Sequence, residues 1–138
     1  MVIITSLKRR WRNFSLVKKE LNGAIDSEGH AIYILYEPIW SGLVSLKKRG
    51  VKIRTVTEIT LGNIHYCKKL MEVGELRPLD GIRTNFGIAD GKQVMLHGVS
   101  KEKDPLSQAI LTSVKGLVDA QHICLKIFGI KQFQQYRK

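Results

Sequence analysis

The chain has 138 residues, 43% of them hydrophobic, which is enough for one domain whose core needs no disulfide to hold it. No apolar run approaches the roughly 18 residues of a membrane span, and no basic segment precedes the apolar start as it would in a signal peptide. The two cysteines and four histidines are scattered, so neither a metal site nor a cofactor is expected. We therefore predict a cytoplasmic protein with no membrane span.

The net charge of +11 is concentrated in a few segments. Basic side chains dominate residues 1–22, residues 43–54 and the tail from residue 126, whereas residues 55–125 hold eight basic and eight acidic side chains. A polyanion that bound these segments would release counterions, so a basic nucleic-acid-associated protein is one function that the composition allows. Solvated helix faces are also often basic, and aromatic side chains that stack on bases are sparse outside Trp11, Tyr36, Trp40 and Phe133.

The first 24 residues predict a basic amphipathic N-terminal helix. Apolar side chains recur at helical spacing between residues 7 and 22, and the basic residues fall between them. Asn22-Gly23 is typical of a helix end. Residues 1–5 are rich in β-branched side chains and fit either a short strand or a disordered start.

The next segments predict, in order, a strand, a helix, a strand and a helix: residues 31–36, 37–50, 51–60 and 64–73. The run AIYILY is continuously apolar, as in a strand that is buried on both faces. Pro38 favours the first turn of a helix, Gly50 favours a helix end, and Asn63 is a suitable cap for the second helix.

The segment from residue 82 to residue 96 predicts a β-hairpin. Its apolar-rich strands, residues 82–88 and 93–96, are separated by Ala-Asp-Gly-Lys, and Asp90-Gly91 is a strong signal for a two-residue turn. After a charged loop, the apolar spacing of residues 105–128 predicts the longest helix, which ends at Gly129. Alternating strands and helices followed by a hairpin indicate an α/β fold with a mixed sheet and flanking helices.

The hairpin resembles the catalytic hairpin of the phospholipase D superfamily, whose pattern is His-x-Lys-x-x-x-x-Asp. The matching positions here are Arg83, Asn85 and Asp90, with Gly98 near the expected glycine. The superfamily's reaction needs an imidazole nucleophile, which neither a guanidinium nor an amide replaces. We therefore expect no catalytic residue and no enzyme; His97, the nearest imidazole in sequence, lies at the wrong end of the motif. Asp90 is also what a tight turn favours by itself.

Residues 49–90 resemble a domain of archaeal, especially thaumarchaeal, sensor histidine kinases and related regulators, and weaker similarity extends from about residue 25 to residue 128. The resemblance implies a phospholipase D-like half-domain over residues 25–129, followed by a basic tail over residues 130–138. It also implies a sensing or regulatory role in archaeal signal transduction. The positions that carry over are Glu58, Thr60, Asn63, Tyr66, Cys67, Glu75, Arg77, Asp80, Asn85, Phe86 and Gly87; Pro78 stands where relatives usually have a histidine.

Six polar residues form the predicted ligand-binding site: Glu58, Thr60, Arg77, Asp80, Arg83 and Asn85. Two carboxylates and two guanidiniums suit a small anionic ligand, because the planar fork of arginine meets a carboxylate or phosphate with two bonds. An internal salt-bridge network among the same groups is the alternative. A protein partner is the other expected ligand, and a homodimer is expected because phospholipase D-like units commonly work in pairs.

Overall fold

The computed structural model describes residues 2–5, 11, 16–97 and 109–129. Seven strands lie within these ranges: β1 (Val2–Thr5), β2 (Glu20–Ile25), β3 (Lys52–Thr57), β4 (Glu75–Pro78), β5 (Asn85–Ala89), β6 (Gln93–His97) and β7 (Ala109–Thr112). The helices of at least six residues within the same ranges are α1 (His30–Leu35), α2 (Glu37–Lys48), α3 (Ile64–Leu70) and α4 (Lys115–Ile127).

The strands form one mixed sheet in the order β1-β7-β6-β5-β2-β3-β4. β2, β3 and β4 are parallel neighbours, and the remaining pairs are antiparallel. The carboxyl ends of β2, β3 and β4 therefore meet at one end of the sheet, where β5 also begins and β6 ends; we call it the carboxyl end. At the opposite end, the amino end, the three parallel strands begin and the crossover helices α2 and α3 finish.

Helices cover both faces of the sheet. Side chains such as Leu21 and Ile53 pack on one face with α1, α2, α3 and Trp11, whereas Val56 and Phe86 pack on the other face with α4. The central strands β2, β3 and β5 thus alternate between two apolar layers, which explains why few of their residues are exposed. In the part of the chain described above, no helix combines the length and the apolarity needed to cross a bilayer.

Several predicted elements are confirmed. The helix that Pro38 begins is α2, and Gly50 follows it with φ +86°, as a C-terminal glycine should. The strand and helix that follow are β3 and α3, with slightly shorter bounds. The hairpin is β5–β6, and its turn residues Asp90 and Gly91 have φ of 53° and 70°, the left-handed pair of a type I′ turn. Residues 2–5 form strand β1, so the strand rather than the disordered start is confirmed there.

The strand predicted over residues 31–36 is wrong, because these residues form helix α1. α1 is apolar on most sides since it packs between the sheet, α2 and α3. A short apolar run does not distinguish a buried strand from a buried helix by periodicity, and here tertiary packing decides.

The helix predicted over residues 7–22 is wrong at its end, where residues 20–25 form β2. Gly23 does not end a helix; it lies in the middle of β2, where a Cβ would come within 2.4 Å of the Phe86 carbonyl oxygen on β5. Trp11 is helical and buried, and residues 7–10 and 12–15 lie outside the described residues.

The long helix predicted over residues 105–128 is wrong in its first half. Residues 109–112 form β7, with Ala109 and Leu111 buried on one face, and the helix α4 begins only at Lys115. The predicted helix used the spacing of Ile110. In the structure Ala109, Ile110 and Leu111 are buried, exposed and buried in turn, which is the two-residue period of a strand. Residues 98–108, which include Gly98 and the charged loop, and the tail 130–138 lie outside the described residues.

Candidate functional site

The six predicted ligand-binding residues all lie at or near the carboxyl end of the sheet. Glu58 and Thr60 follow β3, Arg77 lies in β4, Asp80 and Arg83 lie in the connector to β5, and Asn85 opens β5. Proximity to one end of the sheet does not make them a single site, however. Their individual contacts, described next, show that several of them bind other parts of the chain.

Asn85 is buried and is bonded to the loop after β2. Its Nδ2 donates to Asp26 Oδ2 (2.8 Å), and its Oδ1 accepts from the Asp26 backbone N–H (3.1 Å). The second carboxylate oxygen, Asp26 Oδ1, accepts from the N–H groups of Glu28 and Gly29. The amide of Asn85 therefore holds a loop closed, and both of its polar atoms are occupied.

The loop after β3 is organised by Asn63 rather than by a ligand. Asn63 Oδ1 accepts from the Thr60 N–H (2.8 Å), while Thr60 Oγ1 accepts from the Asn63 N–H (3.2 Å). Asn63 Nδ2 donates to the backbone oxygens of Glu58 and Ser27, both at 2.9 Å. This buried side chain thus joins the loops that follow β2 and β3. From the sequence, Asn63 was expected as a helix cap and as a position that carries over from the archaeal regulators, but not as a link between two loops.

The charged members of the predicted site form no direct ion pair with one another. Arg77 is half-buried, and its Nη1 donates to the Gly129 carbonyl (3.4 Å) beyond the end of α4. Asp80 and Arg83 are exposed, and Glu58 is half-buried. No ion pair within 4.0 Å joins any two of these four side chains in the described part of the chain. The direct salt-bridge network is therefore not seen among these four side chains, and the shared ligand site stays a prediction.

Two histidines lie at the carboxyl end, and sequence spacing did not reveal this. His97 on β6 is the register partner of Asn85, so the hairpin places an imidazole beside this position of the phospholipase D-like pattern. The Nε2 atom of His97 is hydrogen-bonded to the Tyr33 hydroxyl. Burial raises the pKa of Tyr33, so the phenol stays neutral. His30 is fully buried. The Thr57 hydroxyl donates to the Ile25 carbonyl, so Thr57 Oγ1 accepts the hydrogen bond from His30 Nε2 (2.6 Å).

Asp90 lies at the amino end, at the far end of β5 from Asn85 and about 17 Å along the strand. Its carboxylate accepts the backbone N–H groups of Lys18, Lys19 and Glu20 at 2.9, 2.7 and 3.1 Å. Burial acts to raise the pKa of Asp90, but these three bonds outweigh it and hold the pKa below its usual value. Asp90 therefore fastens the hairpin turn to the start of β2.

An apolar cavity of about 60 Å³ lies between the sheet and the helices on the face that carries α1, α2 and α3. Its walls include Trp11, Leu43 and Met95, and Tyr33 and His97 lie at its carboxyl end. Pockets that hold metabolite-sized ligands measure about 300–1,000 Å³. The cavity is too small and too apolar for the anionic ligand that the sequence predicts.

The strongest electrostatic feature is at the amino end of the sheet. Nine exposed basic side chains lie there, at the starts of β2 and β3, the ends of α2 and α3, and the hairpin turn; we call this set the basic surface: Lys18, Lys19, Lys47, Lys48, Arg49, Lys52, Lys68, Lys69 and Lys92. The backbone bond from the Lys52 N–H to the Lys19 carbonyl (3.0 Å) brings two of its segments together. The sequence predicted basic segments but not that they share one end of the fold.

Acidic side chains near the basic surface are mostly bound to other groups. Glu20 lies 3.9 Å from Arg54 Nη1, Glu72 lies 3.5 Å from Lys69 Nζ, and Asp90 accepts the three backbone bonds described above. At the carboxyl end the acidic side chains outnumber the basic ones, since Asp26, Glu28, Glu58 and Asp80 lie there with Arg77 and Arg83. The molecule is therefore electrically polar along its strands, with the positive charge at the amino end.

Comparison with known proteins shows the fold and nothing finer. No family model and no curated protein matches the sequence. The structure of the archaeal chromatin protein TrmBL2, described as showing a novel mode of DNA binding, matches with a TM-score of 0.58 and 16% identity over 96% of this chain and 52% of that one. Polyphosphate kinase from Porphyromonas gingivalis matches with a TM-score of 0.60 and 13% identity over 92% of this chain and 23% of that one.

The chain thus spans about half the length of the first of these proteins and about a quarter of the second. The likeness confirms the predicted fold class, an α/β fold with a mixed sheet and flanking helices. The closer relation to archaeal sensor histidine kinases stays a prediction.

Proposed function

We propose that this chain is a non-catalytic phospholipase D-like module that binds nucleic acid through the basic surface at its amino end. The observation that carries the proposal is the clustering of nine exposed cations at one end of a sheet whose opposite end carries more carboxylates than guanidiniums. A phosphate backbone that meets such a cluster releases condensed counterions, and this is the main source of affinity in sequence-independent binding.

The two structural neighbours support a ligand made of linked phosphates. One is a chromatin protein whose structure concerns DNA binding, and the other is named for polyphosphate, itself a chain of phosphate groups. Their low identities transfer no residue roles, so the support is for the class of ligand alone. The sequence allowed nucleic acid as the alternative to a small anionic ligand or a protein partner. The charge distribution favours nucleic acid.

The absence of catalysis is part of the proposal. Arg83 is exposed and cannot act as a nucleophile, Asn85 is bonded to Asp26, and Asp90 lies at the other end of β5. The imidazole nearest to this position, His97, already bonds the neutral phenol of Tyr33 through Nε2. These contacts favour a scaffold that is retained for binding.

The small anionic ligand has weaker support. Of its six predicted residues, Asn85 and Arg77 bond other parts of the chain, and the loop that holds Glu58 and Thr60 is closed by Asn63. The sensing role and the protein partner stay predictions that depend on the resemblance to archaeal regulators. The homodimer stays a prediction that depends on the pairing of phospholipase D-like units.

The test is a binding titration with a fluorescently labelled oligonucleotide at about 50 and about 200 mM salt. Replacing Lys47 and Lys48 by Gln removes two phosphate contacts at the end of α2. We expect weaker binding, and a slope of log affinity against log salt that is shallower by about 1.4 for a single strand or about 1.8 for a duplex. The matched control replaces by Gln two exposed cations away from the amino end, Arg83 in the connector to β5 and Lys126 near the end of α4, and should leave the slope unchanged.

Two results would contradict the proposal. The first is no binding of any oligonucleotide by the wild-type protein at low salt. The second is an equal loss in the control and the Lys47/Lys48 variant, which would indicate that only net charge matters and that the amino end is not a specific surface.

A further inference from the structure

A ridge on the surface of α2 separates two grooves beside the basic surface. Trp40, Val44 and Lys48 form the ridge, because residues four apart stack on one side of a helix. The first groove, about 430 Å³, lies between α2 and α3 and is also lined by Lys47, Lys69, Glu72 and Val73. The second, about 580 Å³, lies on the other side of the ridge and is lined by Glu37, Ser41 and Ser45. Both volumes are in the range that holds a nucleotide-sized group.

Trp40 differs from the other tryptophan in ways that leave it open to a ligand. Trp11 is 6% exposed, and its Nε1 donates to the Pro38 carbonyl at 3.1 Å. Trp40 is only half-buried, lines both grooves, and has Lys69 Nζ 5.1 Å from its ring centroid. An aromatic face next to an ammonium group provides both contacts that a nucleotide needs, a stacking surface for its base and a cation for its phosphate.

The charges around the ridge fit a phosphate backbone. Lys47, Lys48 and Lys69 belong both to the first groove and to the basic surface, so a strand that leaves the groove continues along cations. The first groove has three ammonium groups, those of Lys47, Lys48 and Lys69, and one carboxylate, Glu72, which lies 3.5 Å from Lys69 Nζ. The groove therefore offers positive charge to an incoming anion.

From this arrangement we propose that the grooves bind single-stranded nucleic acid, with one base stacked on Trp40 and the flanking phosphates at Lys47, Lys48 and Lys69. The inference rests on the proposed function and names the form of nucleic acid that this surface takes. A duplex keeps its bases stacked on one another, so it meets the lysines but cannot place a base face on a ring within a groove. Single strands expose their bases and gain from both contacts.

The experiment compares a single-stranded oligodeoxythymidine of about 15 nucleotides with a duplex of equal length, using the wild-type chain, Trp40→Ala and Trp40→Phe. We expect the wild type to prefer the single strand. Trp40→Ala should weaken single-strand binding by about 5- to 150-fold and change duplex binding by less than about twofold, and Trp40→Phe should keep most of the affinity because its ring still stacks. Single-strand binding should also quench tryptophan fluorescence in the wild type and not in Trp40→Phe, whose remaining Trp11 is buried.

Far-ultraviolet circular dichroism and the thermal midpoint of each variant show whether it folds, and Trp40→Phe covers the case in which Trp40→Ala does not. A wild type that prefers the duplex, or a Trp40→Ala variant that loses both ligands equally or neither, would overturn the single-strand inference and leave the proposed function standing. Failure of the wild type to bind either oligonucleotide would instead overturn the proposed function itself.

Discussion

At the scale of the residue, Asp90 shows how a motif position can persist for a structural reason. Its carboxylate accepts three backbone bonds, and its own backbone adopts the left-handed conformation of the turn. Both properties follow from its contacts within the fold, and neither needs a ligand. The sequence already allowed this interpretation through the Asp-Gly pair, but the bonds to Lys18, Lys19 and Glu20 join residues about 70 apart and were not predictable from local pattern.

The variant Asp90→Asn tests this role, because asparagine also tolerates a left-handed turn but carries no charge. We expect a loss of about 1–3 kcal/mol in the free energy of unfolding near pH 6, measured by urea denaturation. Since the folded-state pKa lies below the ordinary value of 3.8, the contribution is complete above that value and is lost as the pH falls through the folded-state pKa. The difference between wild type and variant should therefore shrink below about pH 4.

The control for Asp90→Asn is Asp119→Asn on the exposed surface of α4, which should change stability little at any of these pH values. A difference between wild type and Asp90→Asn that is absent at pH 6, or that grows as the pH falls, would show that the carboxylate does not stabilise the turn.

At the scale of the element, the parts with strong local signals were predictable. The proline and glycine that bound α2, the alternation in β3 and the Asp-Gly turn each depend on a few adjacent residues. The errors fell where burial overrides local pattern: α1 is apolar because other elements surround it, and β7 shares its spacing with a helix. The candidate site stays a prediction, and its local pattern did not reveal that Asn85, Arg77 and Asn63 meet partners that only the tertiary fold brings near.

Asn63 gives a prediction at this scale, since its side chain joins the loops after β2 and β3 to the start of α3. Asn63→Ala leaves the Ser27 and Glu58 carbonyls and the Thr60 N–H without this partner. We expect a loss of about 2–4 kcal/mol in the free energy of unfolding by urea denaturation. Asn63→Asp keeps the acceptor for the Thr60 N–H but places a carboxylate oxygen against the two carbonyl oxygens, so it should lose at least as much stability.

Oligonucleotide binding by folded Asn63→Ala should stay within about twofold of the wild type, because the loops lie at the opposite end of the sheet from the basic surface. A stability loss of less than about 0.5 kcal/mol would show that these loops hold together without the asparagine.

At the scale of the whole molecule, the topology converts separate basic segments into one surface. Parallel strands joined by crossover helices place the starts of β2 and β3 and the ends of α2 and α3 at the same end of the sheet. The acidic loops go to the other end for the same reason. Composition therefore predicted the sign of the charge, and only the strand order showed where it is displayed.

The most direct test of this account is a nuclear magnetic resonance titration of the isotope-labelled chain with a single-stranded oligonucleotide, following the backbone amide signals. The account predicts that the shifts cluster at the amino end, in residues 18–19, 47–52 and 68–72 and around Trp40, while the loops at residues 26–30 and 58–63 stay unchanged. Shifts centred on those loops and on Asn85, with the amino end unmoved, would contradict it and return the binding site to the carboxyl end of the sheet.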